Sequence, residues 1–195
     1  GAAGSFTFTG TASGTISDDG RIVVGNLLPG TYNSTETVPS GWNLTDLTCS
    51  RIVGSQSSWT TDLSKANATI TLAAGEIVKC VFTDTLLGKI IVEKVTVPSP
   101  DTTQQSFNFT LKDGPSNLDQ AFSLKDGESH DSGYVKPGAG YAAAETVPTG
   151  WNLTSATCDD GSPVTNIDVA PGETVKCTFT DETFGKIIIK KVSVG

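Results

Sequence analysis

Apolar and polar residues alternate along many short stretches of this chain. The alternation is clearest in residues 5–9 (SFTFT) and 106–110 (SFNFT), and a period of two is typical of half-buried β-strands. No stretch convincingly repeats apolar residues with the spacing of an amphipathic helix. Thr and Val, which favour strands, are frequent, and Gly, Asn and Pro separate the apolar stretches. We therefore predict an all-β fold.

Three sequence segments occur twice. Residues 36–45 recur as 145–154, residues 75–84 as 172–181, and residues 88–95 as 185–192. Repeats of this length indicate tandem copies of one structural unit. The copies differ most between their cysteines, where the first carries an insertion. We predict two β-sandwich domains, at residues 1–87 and 88–184.

The order of the repeated segments along the chain predicts a third part of the protein, after the two domains. The Gly-Lys-Ile-Ile segment opens the second domain and returns in residues 185–195, whereas the first domain begins directly at its Ser-Phe-Thr-Phe strand. We expect residues 1–87 to lack a first strand and residues 185–195 to be an orphan first strand that belongs to the next period. Either the chain is one period of a longer polyprotein, or separate subunits exchange the strand by donor-strand complementation. Both arrangements would cover a sheet edge and run head to tail. An arbitrary boundary with a frayed tail is a third interpretation.

Charge and composition argue against several functions. The net charge of −8 disfavours nucleic-acid binding, which needs clustered Lys and Arg. No apolar run approaches the length of a membrane span, and residues 1–4 lack the apolar region of a signal peptide. This favours a mature product or an excised segment.

Nothing in the sequence indicates an enzyme, a cofactor or a metal. His130 is the single histidine, so neither a Ser-His-Asp set nor four zinc ligands can be assembled. The acidic loops at 112–114 and 126–131 lack EF-hand spacing and are interpreted as solvated turns.

The four cysteines fall two in each domain, at matching positions of the repeat. Three pairings are formally possible, and the repeat favours Cys49–Cys80 and Cys158–Cys177. Two disulfides imply an oxidising, extracellular compartment. Five Asn-x-Ser/Thr sequons favour N-glycosylation of a surface protein; they lie at Asn33, Asn43, Asn67, Asn108 and Asn152.

A Glu-Thr-Val-Pro-x-Gly-Trp motif begins the first repeated segment in both domains, at 36–42 and 145–151, and Val135-Lys136-Pro137-Gly138 precede the second copy. In this motif the chain resembles the Cna B-type, or SpaA-like, domains of microbial surface adhesins and pilus shafts. The resemblance covers essentially the whole chain and implies a small prealbumin-like β-sandwich related to the Ig-like fold.

The resemblance also implies an intramolecular isopeptide bond between a first-strand Lys and a last-strand carboxyl or amide, promoted by the Glu of the motif. In the second domain these residues are Lys94, Asp181 and the catalytic Glu145. Asp in place of the commoner Asn means that water would leave instead of ammonia. Alternation supports the placement, since Lys94 shares a strand face with Ile90 and Val92.

The first domain offers Glu36 as its catalytic residue and Asp84 as its acceptor, and its lysine would be Lys191 of the preceding period. The competing interpretation is that Lys94 and Lys191 are solvated edge lysines and that the acids cap turns.

The sequence therefore predicts a non-enzymatic, extracellular structural protein of a microbial cell surface. Copies of the chain would join head to tail into a pilus-like fibre or stalk, stabilised by covalent cross-links. An adhesin module that binds a host or surface ligand, including surface glycans, is the alternative.

Overall fold

The computed structural model describes residues 4–195; the first three residues of the predicted first domain lie outside this range. The chain divides into two compact units, Gly1–Leu87 and Gly88–Gly195. Within the described residues the only helical element is a 3-10 turn at Leu63–Lys65, so the prediction of an all-β fold is confirmed.

The first unit contains seven strands among its described residues. A five-stranded antiparallel sheet has the order β2-β1-β3-β6-β5, and β4 pairs with β7 in a separate two-stranded sheet. The strands are β1 (Ser5–Gly10), β2 (Gly14–Ser17), β3 (Gly30–Thr37), β4 (Trp42–Val53), β5 (Ser58–Asp62), β6 (Asn67–Leu72) and β7 (Ile77–Leu86).

The second unit contains eight strands in two four-stranded sheets. Their orders are β10-β9-β12-β14 and β11-β8-β15-β13. The strands are β8 (Lys89–Val97), β9 (Phe107–Asp113), β10 (Leu118–Leu124), β11 (Ser129–Asp131), β12 (Gly138–Thr146), β13 (Trp151–Cys158), β14 (Ile167–Val169) and β15 (Thr174–Thr183).

Both units contain the same aromatic pair in their cores. Phe6 packs edge-on against Trp42 with ring centroids 5.1 Å apart, and Phe107 packs against Trp151 at the same distance. The Trp of the shared motif thus closes one end of each sandwich. The insertion between the first two cysteines forms β5, which is the edge strand of the five-stranded sheet, and the 3-10 turn that follows it.

The two units differ where β8 lies. In the second unit β8 is sandwiched between β11 and β15 and runs parallel to β15. In the first unit β7 is the counterpart of β15, and among residues 4–195 it pairs only with β4. The counterpart of β11, residues 21–23, belongs to no strand. One edge of β7 is therefore open in the described chain.

The open edge changes burial. Along β15 the inward residues Val175, Cys177, Phe179 and Asp181 are buried, whereas their counterparts along β7, at 78, 80, 82 and 84, are only half-buried. Residues 185–195 form no strand and are exposed along their whole length. The segment whose sequence matches β8 is thus extended from the second unit without a partner in this chain.

Candidate functional site

Lys94 lies at the centre of the second unit because β8 presents alternate residues to the core. Ile90, Val92, Lys94 and Thr96 are all buried, and Lys94 has no exposed surface. A buried ammonium group is costly unless it is paired and hydrogen-bonded. The interpretation of Lys94 as a solvated edge lysine is therefore wrong.

The ammonium group of Lys94 is held by two strands. Its Nζ donates a hydrogen bond to Oδ2 of Asp181 on β15. It also donates hydrogen bonds to the carbonyl oxygens of Val95, at 3.0 Å, and Phe179, at 3.3 Å. The ring of Phe107 lies 4.3 Å from Nζ, on the apolar side of the group. The amine is thus fixed against the side chain of Asp181.

Glu145, on β12 of the opposite sheet, completes the site. Its Oε1 lies 3.5 Å from Nζ of Lys94, and both side chains are fully buried. Burial raises the pKa of Glu145 to about 7; the positive charge of Lys94 opposes this shift and Asp181 adds to it. Near neutral pH, Glu145 is therefore able to hold or release a proton.

Both oxygens of Glu145 and Oδ1 of Asp181 have no hydrogen-bond partner beyond a proton that the two carboxyl groups can share and the ion pair of Glu145 with Lys94. Buried polar groups are normally satisfied, and exceptions often mark sites of chemistry. An amine, a carboxyl acceptor and a carboxyl proton carrier meet here in a site without solvent. These are the groups that amide formation needs.

The first unit positions two of the three groups in the same way. Glu36 lies opposite Phe8 as Glu145 lies opposite Phe109, and Asp84 is paired with Leu44 in the register that pairs Asp181 with Leu153. Neither acid caps a turn. The structure therefore places Glu36 and Asp84 at the positions predicted from the repeat.

These two carboxyl groups lie together without a lysine. Oε2 of Glu36 and Oδ1 of Asp84 are buried, and apart from a proton that the two carboxyl groups can share, the described chain gives them no hydrogen-bond donor. Burial, and then the negative charge of Asp84, raise the pKa of Glu36 to about 7. Burial also raises the pKa of Asp84. Within the chain Lys191 is in the exposed segment 185–195, so the structure does not bring it to this pair.

Both expected disulfides are present. Cys49 bonds to Cys80 across β4 and β7, and Cys158 bonds to Cys177 across β13 and β15. Each disulfide joins the two strands that also pair at Asp84 or at Asp181. By loop entropy, each contributes about 3–4 kcal/mol to stability.

All five sequons lie on strands. Asn33, Asn108 and Asn152 are exposed, whereas Asn43 and Asn67 are half-buried. The side-chain amide of Asn67 donates hydrogen bonds to Thr35 Oγ1, at 2.7 Å, and to the Ser34 carbonyl, at 3.4 Å. A glycan on Asn67 would disturb these bonds, so the three exposed sites are the accessible ones.

Two features of this region were not predicted. Phe107 contacts the lysine, although its inward position in an alternating strand was a usable signal. Asp126, interpreted as part of a solvated turn, instead accepts hydrogen bonds from the backbone N–H of Thr96 and Asp101 and from the Ser99 hydroxyl. It anchors the end of β8, two residues beyond Lys94.

Across residues 4–195, no three His, Cys, Asp or Glu side chains converge as a metal-ion site. No helix within the described part of the chain is long and apolar enough to cross a membrane.

The solved structures that are similar to this chain include major pilins and an adhesin. The major pilin protein T-13 from Streptococcus pyogenes is 16% identical with a TM-score of 0.41, over 92% of this chain and 89% of that one. A second S. pyogenes major pilin, T3.2, is 13% identical with a TM-score of 0.43, over 93% and 91%.

A bacterial adhesin from Mobiluncus mulieris containing intramolecular disulfide, isopeptide and ester bond cross-links is 12% identical with a TM-score of 0.45. The match covers 81% of this chain and 61% of the adhesin. Among curated proteins, none matches this chain.

The sequence profile of the SpaA_4 family, described as a prealbumin-like fold domain, matches residues 1–86 and again residues 90–183. The two matches account for most of the chain and coincide with the two sandwiches. The chain therefore belongs to the SpaA_4 family of prealbumin-like fold domains.

Proposed function

We propose that this chain is a structural module of an extracellular, pilus-like fibre, in which residues 186–194 of one copy complete the first unit of the next copy. The donated segment would lie between β7 and residues 21–23, where β8 lies in the second unit. It would pair in parallel with β7.

A contrast in burial carries this proposal. Ile90 and Val92 of β8 have no exposed surface, whereas their counterparts in the free segment, Ile187 and Ile189, are 90% and 93% exposed. The face of β7 that they would cover is correspondingly half-buried. An open strand edge commonly binds a separate extended segment, whose apolar residues then become buried.

The register of docking follows from the repeat. Lys94 is opposite Phe179 in the second unit, so the same alignment would place Lys191 opposite Phe82. Charge favours the same contact. The segment 185–195 carries three of the 13 Lys and Arg residues and none of the 21 Asp and Glu residues, and it would approach a chain that is otherwise strongly acidic.

Such a contact joins two different surfaces, and contacts of this type propagate into open filaments unless they close into rings. Separate subunits would therefore add head to tail. In a longer polyprotein, the copy of the segment that precedes the first unit would make the same contacts within one polypeptide.

We further propose that Lys94 and Asp181 of the second unit form an isopeptide bond. Transfer of a proton from the ammonium to Asp181 leaves a neutral amine and a carboxylic acid. The amine attacks Cγ of Asp181, and Glu145 shuttles protons from the nitrogen to the departing oxygen. One water molecule leaves. The bond would join β8 directly to β15, so that tension along the fibre would pass through covalent bonds.

An extracellular location fits both disulfides, because such bonds persist in oxidising compartments. Carbohydrate on Asn33, Asn108 or Asn152 would fit the exposure of those side chains. Neither feature distinguishes a shaft from a tip module, whereas the match between the free segment and the open edge of β7 favours a shaft.

The test removes the segment and returns it in trans. A chain truncated after residue 184 should remain monomeric and folded, and should bind a synthetic peptide of residues 185–195 with one site per chain. A control peptide with Ile187→Asp and Ile189→Asp should not bind. Fibre formation by the truncated chain, or equal binding of both peptides, would reject strand complementation.

A further inference from the structure

We propose that docking also creates an amide bond between Lys191 of one copy and Asp84 of the next, with Glu36 as the proton carrier. The first unit is then one half of a reactive site, and a second copy supplies the missing amine. This inference rests on the proposed function, because the lysine arrives only with the donated segment.

The second unit supplies the geometry. There the lysine of β8 reaches the aspartate of β15 by a direct hydrogen bond and lies 3.5 Å from the glutamate of β12. Glu36 and Asp84 occupy the same register positions in the first unit, and Lys191 is the counterpart of Lys94 in the repeat. Docking in the register of β8 brings the amine to both carboxyl groups.

The half-site has features that point to a cation. Glu36 is only 5% exposed, and its Oε2 receives no hydrogen bond from the described chain other than through a proton shared with Asp84. Two buried carboxyl groups side by side are unfavourable because their like charges repel each other. An entering ammonium would relieve this repulsion and supply the absent hydrogen-bond donors. Phe6, the counterpart of Phe107, is also buried and provides the aromatic side of the site.

The chemistry balances without any external reagent. Lys191 enters as an ammonium and passes one proton to the Asp84 carboxylate, which leaves a neutral amine and a carboxylic acid. The nitrogen attacks Cγ of Asp84, and Glu36 takes the nitrogen's proton while giving its own to the departing hydroxyl. The C–O bond breaks, one water molecule leaves, and Glu36 returns to its starting state.

Covalent closure explains how a short strand could hold subunits permanently. Docking through strand hydrogen bonds and the burial of Ile187 and Ile189 is non-covalent, and it must offset the backbone entropy lost when the segment becomes ordered. Docking alone is therefore reversible. An amide bond makes the same contact irreversible under ordinary conditions.

The test measures both fibre formation and covalent linkage between copies of the 195-residue chain. After assembly, boiling in detergent and reductant should leave a ladder of multimers. Mass spectrometry of the tryptic digest should identify the peptide of Lys191 joined to that of Asp84, lighter by one water. Lys191→Arg should abolish the ladder while fibres remain visible by electron microscopy, and the matched control Lys190→Arg should retain it. Glu36→Gln should slow ladder formation at least tenfold.

The possible failures are distinct. Fibres that dissolve to single chains on boiling would overturn the covalent bond and leave strand complementation standing. A Lys191–Asp84 peptide found only in single chains would mean that the segment folds back on its own first unit, which also overturns the bond between copies. A wild-type chain that forms neither fibres nor linked peptides would reject this inference together with the proposed function.

Discussion

Lys94 and Glu145 face each other across the two sheets of the second unit, with Nζ and Oε1 3.5 Å apart and neither side chain exposed. Opposite charges this close in a site without solvent interact strongly. The arrangement also carries a desolvation free-energy cost, since both groups lose their hydration. We interpret it as a reactive site because Asp181 completes it with an acceptor carbon.

The first prediction concerns the mass of the second unit. In a chain truncated after residue 184, which lacks Lys191, the intact mass after reduction of both disulfides should be one water below the sequence mass. Glu145→Gln should restore the full mass, because the amide cannot carry a proton between nitrogen and oxygen. Glu182→Gln, on the exposed face of β15, is the control and should leave the mass reduced. Intact-protein mass spectrometry gives the answer, and a full mass in the unsubstituted chain would contradict the bond.

The second prediction compares two lysines of β8. In the Glu145→Gln background, in which no amide bond should form, Lys94→Ala should lower the free energy of unfolding of the second unit by about 3–5 kcal/mol, because it leaves the buried carboxyl group of Asp181 without its cation. Lys89 forms an ion pair with Asp131 at 2.8 Å in a partly exposed position, so Lys89→Ala should lower the free energy of unfolding far less than Lys94→Ala. Denaturant unfolding measures both. Equal effects would mean that Lys94 has no special role.

The third prediction concerns pH and the first unit. In a monomeric Ile187→Asp chain, Glu36 has a pKa of about 7 in the folded state against an ordinary 4.5. Between these values the folded state binds more protons than the unfolded state, so stability should fall as pH rises from 4.5 to 7 and level off above.

The size of this fall should be on the order of 1–3 kcal/mol. Glu36→Gln should flatten the profile, as measured by thermal unfolding at several pH values. A profile that Glu36→Gln leaves unchanged would place the titration elsewhere.

The fourth prediction tests the face of the donated strand. Ile187 and Ile188 are neighbours with the same side chain, but β8 buries Ile90 and leaves Ile91 half-exposed. Ile187→Asp should therefore prevent assembly, whereas Ile188→Asp should weaken it far less. Sedimentation velocity distinguishes fibres from monomers. Equal behaviour of the two variants would show that the segment does not dock as an alternating strand.

Much of the site could be predicted from the sequence. Alternation places Lys94 on the buried face of its strand, and the repeat places Glu36 and Asp84 where Glu145 and Asp181 lie. The contact of Phe107 with Lys94 and the anchoring role of Asp126 were missed. Both depend on which strands and loops come together from distant parts of the chain, and local patterns do not contain that information. The parallel pairing of β8 with β15 is non-local in the same way.

The partial burial of β7 could not be predicted from the sequence either. The sequences of β7 and β15 are similar, but their exposure differs because only β15 is covered by a second strand. The orphan segment was predicted from the phase of the repeat, while its full exposure is a finding of the structure.

Electron cryomicroscopy of assembled fibres would show the donated segment itself. We expect a strand alongside β7, parallel to it, with Lys191 of the neighbouring copy opposite Phe82 and continuous density from its Nζ to Cγ of Asp84. A fibre in which the edge of β7 remains unpaired, or in which residues 186–194 pair elsewhere, would overturn strand complementation.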